Sequence, residues 1–113
     1  MGNRKKGIFF ENKQEAYNLL EKSRKQIDEI DNDLVDLIYR RTSLAKDIVY
    51  SKQFLGMDIY DKEREKSLHD KVNKLAIDKN IDEEILSEIM KMLTILSKNE
   101  QKEILRRNEN GKY

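Results

Sequence analysis

Between Gly7 and Gly56 the chain contains neither glycine nor proline, and from about Lys13 to Ser51 nothing interrupts a helical pattern. Leu20, Ile27, Leu34 and Ile48 fall on a seven-residue repeat, and Ile30, Leu37 and Leu44 fill the positions three residues later. This is an apolar seam of the coiled-coil kind. At 1.5 Å per residue, a helix of about 38 residues is roughly 57 Å long, whereas a compact domain of this chain length has a radius of gyration of only about 13 Å. Two shorter helices cannot cover such a seam. The economical cover is the same helix of a second copy, so the sequence predicts a homodimer.

The rest of the chain reads as two further helices. Gln53 to Tyr60 carries Gly56 and reads as a loop. A second helix is expected from about Asp61 to Asp78, with Leu68, Val72, Leu75 and Ala76 on its apolar side. Lys79-Asn80-Ile81-Asp82 reads as a turn, with Asn80 and Glu83 spaced as a capping box. A third helix is expected from about Asp82 to Arg106, with Ile85, Ile89, Leu93, Leu96 and Ile104 on one stripe. The fold class is therefore all-α: a three-helix protomer with one very long N-terminal helix, paired as an intertwined helical homodimer.

Charge sets limits on function. The formal charge is +1, from 23 basic and 22 acidic residues that are well mixed along the chain. This argues against a nucleic-acid or membrane surface. Arg4-Lys5-Lys6 reads as a solvated tail. With no cysteine in the chain, disulfides, zinc-thiolate sites and thiol nucleophiles are excluded. No apolar run approaches the ~20 residues of a membrane span and no signal peptide is visible, so a cytoplasmic protein is expected.

Several polar residues stand where apolar ones belong. Arg41 occupies a seam position, seven residues after Leu34 and seven before Ile48, and a charge there needs an anionic partner. Lys52 lies eleven residues on, three helical turns plus about 20°, and shares the face of Arg41. Arg24 is rotated from Arg41 by roughly 100° and displaced by about 25 Å, so it cannot join Arg41 within one chain but could do so from an antiparallel partner. Asp61, Arg64 and Glu65 fall in one turn, and Asp61 and Glu65 share a face. Ser97 interrupts the apolar stripe of the third helix, and Gln101 follows on the same side. Singly, each has a bland explanation: an internal ion pair for Arg41, a helix cap for Asp61, tolerated edge positions for Ser97 and Gln101. Together they supply cations for carboxylates, acceptors for hydroxyls and neutral donors, a set suited to a small polyanionic ligand held between helices.

Taken in order, Arg24-Lys-Gln-Ile27-Asp-Glu-Ile30-Asp31, Arg41 with Leu44-Ala45, Lys52, Asp61-Lys-Glu-Arg64-Glu65 and Ser97-Lys-Asn-Glu-Gln101 resemble the all-helical (type II) chorismate mutases. The match spans about Ser23 to Leu105. The resemblance implies an isomerase that converts chorismate to prephenate by a Claisen rearrangement, on the way to phenylalanine and tyrosine, with no metal and no cofactor. It implies two equivalent sites per dimer, each taking Arg24 from one chain and the remaining residues from the other. Arg24 and Arg41 would clamp the two substrate carboxylates with help from Ser97, while Lys52 and Gln101 would donate to the ether oxygen. Asp61 and Glu65 would hold the ring hydroxyl, and Arg64 would shape the site. A neutral amide donates at any ordinary pH, so no acid requirement is expected from position 101.

On this reading residues 13–106 form the chorismate mutase domain, between a flexible N-terminal extension over 1–12 and a flexible tail over 107–113, and the chain is monofunctional. His69 reads as a surface or packing residue. Two other classes fit parts of the pattern. An isochorismate–pyruvate lyase shares the fold and the carboxylate-binding cations, but Asp61 and Glu65 weigh against it. A non-enzymatic helical dimerisation module explains the seam but not Arg41, Lys52, Ser97 and Gln101.

Overall fold

The computed structural model describes residues 9–109, and among these it is helical apart from short connections: α1 (Lys13–Ser43), α2 (Ala45–Leu55), α3 (Lys62–Lys79) and α4 (Glu83–Glu109). The basic run Arg4-Lys5-Lys6 lies outside the described residues, as do most of the expected N-terminal extension and the last residues of the expected tail. No helix among the described residues is long and apolar enough to cross a membrane. The chain divides into an N-terminal unit ending at Leu37 and a C-terminal unit beginning at Ile38.

Among the described residues the N-terminal unit is helical from Lys13 onward. Asn12 starts α1 by accepting a hydrogen bond from the Glu15 amide at 3.0 Å, and the Glu15 carboxylate accepts in return from the Glu11 amide at 3.0 Å. This reciprocal arrangement satisfies amides that a helix start leaves without partners. No residue of α1 is buried. The seam residues Leu20, Ile27, Ile30, Leu34 and Leu37 are all exposed.

In the C-terminal unit the long helix expected from Lys13 to Ser51 is divided at Leu44. The Thr42 and Ser43 hydroxyls donate to the carbonyls of Ile38 and Tyr39 at 2.9 and 2.8 Å. Such back-bonding to the preceding turn bends helices. The Leu44 amide bonds to the Arg41 carbonyl, three residues back, at 3.3 Å, and the regular pattern resumes at Ile48. Helix α2 then runs on to Leu55, beyond the expected end and into the expected loop. Gly56 stops it with a left-handed backbone (φ 70°), its amide on the Gln53 carbonyl at 3.2 Å and the Met57 amide on the Lys52 carbonyl at 2.8 Å. This double closure favours glycine at the turning position.

Asp61 caps α3, its Oδ1 accepting from the Arg64 amide at 3.1 Å. At the other end of α3 the expected capping box is corrected. Asn80 adopts the left-handed conformation (φ 57°) and closes α3, while Asp82 accepts from the Ile85 amide at 2.9 Å and opens α4. Asparagine tolerates positive φ better than other non-glycine residues, and an aspartate two positions on is an equally good N-cap. Helix α4 continues through Glu109, past the expected end at Arg106.

Helices α2 and α3 each pack against α4. Ala45, Val49 and Ile104 form a buried cluster, with Ile59 and Leu105 packed on it. Val72 and Ala76, four residues apart on α3, are buried as their spacing predicts, whereas Leu75 is exposed. On α2 the core side is Ala45 and Val49, and the seam residues Leu44 and Ile48 beside them face outward. The long helical run therefore carries two apolar stripes, and in the C-terminal unit only one of them is used for the core.

Candidate functional site

The packing of α2 on α4 places Lys52 beside Gln101. The Lys52 ammonium donates to the Gln101 Oε1 at 3.1 Å and to the Ile59 carbonyl at 2.6 Å. The Gln101 Nε2 donates to the Ser97 Oγ at 3.3 Å. An ammonium cannot accept, so the amide must turn its oxygen to Lys52 and its nitrogen to Ser97. Gln101 is only 3% exposed, the one buried polar side chain among the described residues, and both ends of its amide are partnered. A buried amide left unpaired would cost roughly 1–3 kcal/mol. The Schellman closure at Gly56 contributes directly, because it turns the chain so that the Ile59 carbonyl meets Lys52.

Arg41, at the end of α1, is half-buried and donates from Nη1 to the Leu93 carbonyl at 2.9 Å. The sequence calls for an anionic partner at this position, but among the described residues no carboxylate lies within ion-pair distance of Arg41 or of Lys52. A main-chain carbonyl orients the guanidinium without cancelling its charge. Leu93, Ser97 and Gln101 follow one another at four-residue spacing on one face of α4. Arg41, Ser97, Lys52 and Gln101 are thus aligned along one stripe of about 12 Å.

The carboxylates sit on the first turn of α3. Asp61 is engaged through Oδ1 in its capping bond, so the bland reading of this residue is correct as far as that oxygen goes. Glu65 is half-buried, and its Oε2 meets the Lys98 Nζ at 2.9 Å. The Arg64 side chain is exposed, and its amide serves the Asp61 cap. Arg24 belongs to the N-terminal unit, where it is exposed and ion-paired to Glu21 at 3.5 Å. His69 is exposed, with its Nε2 at 3.2 Å from the Asn73 amide nitrogen.

A cleft of about 480 Å³ lies between α3 and α4 and is lined by Glu65, Leu68, Val72, Met90, Thr94 and Lys98 among others. Of the expected site residues it includes Glu65 alone. Ser97 and Gln101 lie on the neighbouring face of α4, where Arg41 of α1 and Lys52 of α2 meet it, and these directed hydrogen bonds carry more chemical information than the volume of an open groove.

Lys98 and the carbonyls of Ile59 and Leu93 are participants that sequence reasoning missed. Main-chain acceptors leave no trace in residue identity. Lys98 is one residue past Ser97, yet its partner lies on another helix, beyond the reach of any spacing rule.

Residues 23–102 match the family model described as chorismate mutase type II. The chain is also 45% identical over 87 residues to the chorismate mutase of Methanocaldococcus jannaschii, an alignment covering 77% of this chain and 88% of that protein. The matched segment contains Arg24 and every residue of the Arg41–Lys52–Ser97–Gln101 stripe. From its sequence and its helical architecture, the chain belongs to the chorismate mutase type II family.

Proposed function

We propose that this protein catalyses the rearrangement of chorismate to prephenate, as a homodimer in the cytoplasm. The observation that carries the reading is the Lys52–Gln101–Ser97 chain beside Arg41. An ammonium has three protons, and Lys52 uses two of them on Ile59 and Gln101. An amide nitrogen has two, and Gln101 uses one on Ser97. Each donor therefore keeps a proton for a ligand, and the two are held within one hydrogen bond of each other. An oxygen gaining negative charge as its carbon–oxygen bond breaks would find both donors already oriented. Arg41 uses one of its five N–H groups on Leu93 and offers the rest, in a planar fork, to a carboxylate.

In this reading Lys52 and Gln101 stabilise the ether oxygen, Arg41 holds one substrate carboxylate with Ser97 beside it, and Arg24 of a second copy holds the other. Asp61 and Glu65 accept from the ring hydroxyl through the oxygens their protein partners leave open, and Arg64 shapes the turn that carries them. The exposed seam of α1 supports pairing through that helix, since a run of large aliphatic side chains at heptad spacing is stable in water only when covered. A cytoplasmic setting accords with a chain that has no cysteine. An acceleration of ~10⁶ corresponds to about 8 kcal/mol, within reach of a few preorganised charge-assisted hydrogen bonds and a substrate held in its reactive fold.

The test is incubation of the purified protein with chorismate and, separately, with isochorismate, followed by product identification. Prephenate from chorismate supports the proposal. No turnover of chorismate, or turnover only of isochorismate with pyruvate release, contradicts it.

A further inference from the structure

We propose that Lys98 is a positioning residue for substrate recognition, acting through Glu65; this rests on the reading that Glu65 accepts from the substrate hydroxyl. Among the described residues Lys98–Glu65 is the only ion pair that joins two helices, the others lying within α1, α3 or α4. It is also the least exposed, with side-chain accessibilities of 25% and 30%. The Lys98 ammonium stands 5.2 Å from the centroid of the Tyr60 ring, so it is held between an aromatic face and a carboxylate. Tyr60 immediately precedes the Asp61 cap of α3, and Glu65 follows on the first turn. Lys98 therefore ties α4 to the start of α3 at the point where the two acceptor residues emerge.

Two consequences follow for a ligand bearing two carboxylates. A glutamate has three rotatable side-chain bonds, and fixing Oε2 on Lys98 leaves Oε1 directed and open as an acceptor. Without a cation at its side, Glu65 would also add to the negative charge of Asp61 and repel a dianion. Lys98 cancels that charge without occupying both oxygens, so the site accepts from a hydroxyl while remaining tolerant of the carboxylates.

Steady-state kinetics of Lys98→Met, Lys98→Arg, Glu65→Gln, Glu65→Ala and the Lys98→Met/Glu65→Gln double variant test this, with circular dichroism confirming the fold of each. Lys98→Met is expected to raise KM for chorismate roughly tenfold with a much smaller change in kcat, the pattern of lost ground-state binding. Lys98→Arg, which keeps the cation, is expected to recover most of that loss. In the Glu65→Gln background, where there is no charge to cancel, Lys98→Met is expected to add nothing. A wild-type KM in Lys98→Met, or the same loss in both backgrounds, overturns the role of Lys98. Wild-type kinetics in Glu65→Ala, which removes the acceptor outright where glutamine would keep one, would instead overturn the assignment of Glu65, so the two failures are distinguishable.

Discussion

Leu34 and Val49 belong to the same long helical run, yet Leu34 is 51% exposed and Val49 is 1% exposed. Both are aliphatic and both stand at regular helical spacing. What differs is the company. Val49 and Ala45 meet Ile104 of α4, so residues from Ile38 onward close a small core of their own. The helix from Lys13 to Leu37 buries nothing, although its apolar residues are the more regularly spaced. A regular pattern therefore predicts that a surface will be covered, but not by what. The polar residues follow the same division: Lys52, Ser97 and Gln101 are partnered inside the C-terminal unit, whereas Arg24 pairs, among the described residues, with the neighbouring Glu21 on its own helix.

The sharpest challenge to this comparison is at Lys52. Lys52→Ala is expected to lower kcat by about 10²–10³-fold, the usual effect of removing a donor to developing negative charge, while leaving helical circular dichroism intact. Turnover near that of the parent protein would remove the C-terminal unit's claim to the chemistry.

Paired truncations test the two aliphatic stripes. Val49→Ala should destabilise by about 2 kcal/mol in urea denaturation, from lost burial plus a residual cavity. If the seam is closed by a second copy, Leu34→Ala should lose a similar amount, with a midpoint that moves with protein concentration. A change below about 0.5 kcal/mol at Leu34 is what a solvated surface position gives, and would break the account of the seam.

A smaller effect is expected at Gly56. A Cβ there would meet nothing within 4 Å, so Gly56→Ala should lose only the about 1 kcal/mol of a left-handed backbone, read as a shift in thermal midpoint. The smallest concerns Glu103. Hydrogen bonds from the Arg106 guanidinium, aided by the charges of Arg106 and Arg107, hold its carboxyl below the ordinary 4.5 against a weaker opposing effect of desolvation. A carboxyl lowered on folding contributes stability above its unfolded value and loses it as pH falls through the folded one. The pair is exposed, so Glu103→Gln should flatten the acid limb of the stability profile only slightly, measurable as urea midpoints between about pH 7 and pH 3.

Much of this was legible in the residues, and the exceptions have physical causes. The near absence of helix breakers and the heptad spacing predict the helices and the uncovered seam. The common face of Arg41 and Lys52, and the polar interruption at Ser97 and Gln101, point to the candidate site. The bend at Leu44 escaped notice because it arises from two hydroxyls, Thr42 and Ser43, that helices usually tolerate. The capping reading failed at Asn80 because Asn80 and Asp82 are both good terminal residues, and only the backbone decides which ends α3 and which begins α4. Arg41 found a carbonyl rather than a carboxylate, and Lys98 found Glu65 across two helices; both depend on packing that no single-helix pattern contains.

The central claim is that the uncovered N-terminal helix completes the site of a second copy, and mixing two inactive variants tests it most directly. Arg24→Ala and Lys52→Ala should each be severely impaired. When they are unfolded together and refolded, half of the dimers should be mixed, and each mixed dimer should hold one site with both residues intact and one with neither. The account predicts recovery of about a quarter of the parent activity per protomer. No recovery above the sum of the two variants, or an Arg24→Ala protein as active as the parent, would contradict it.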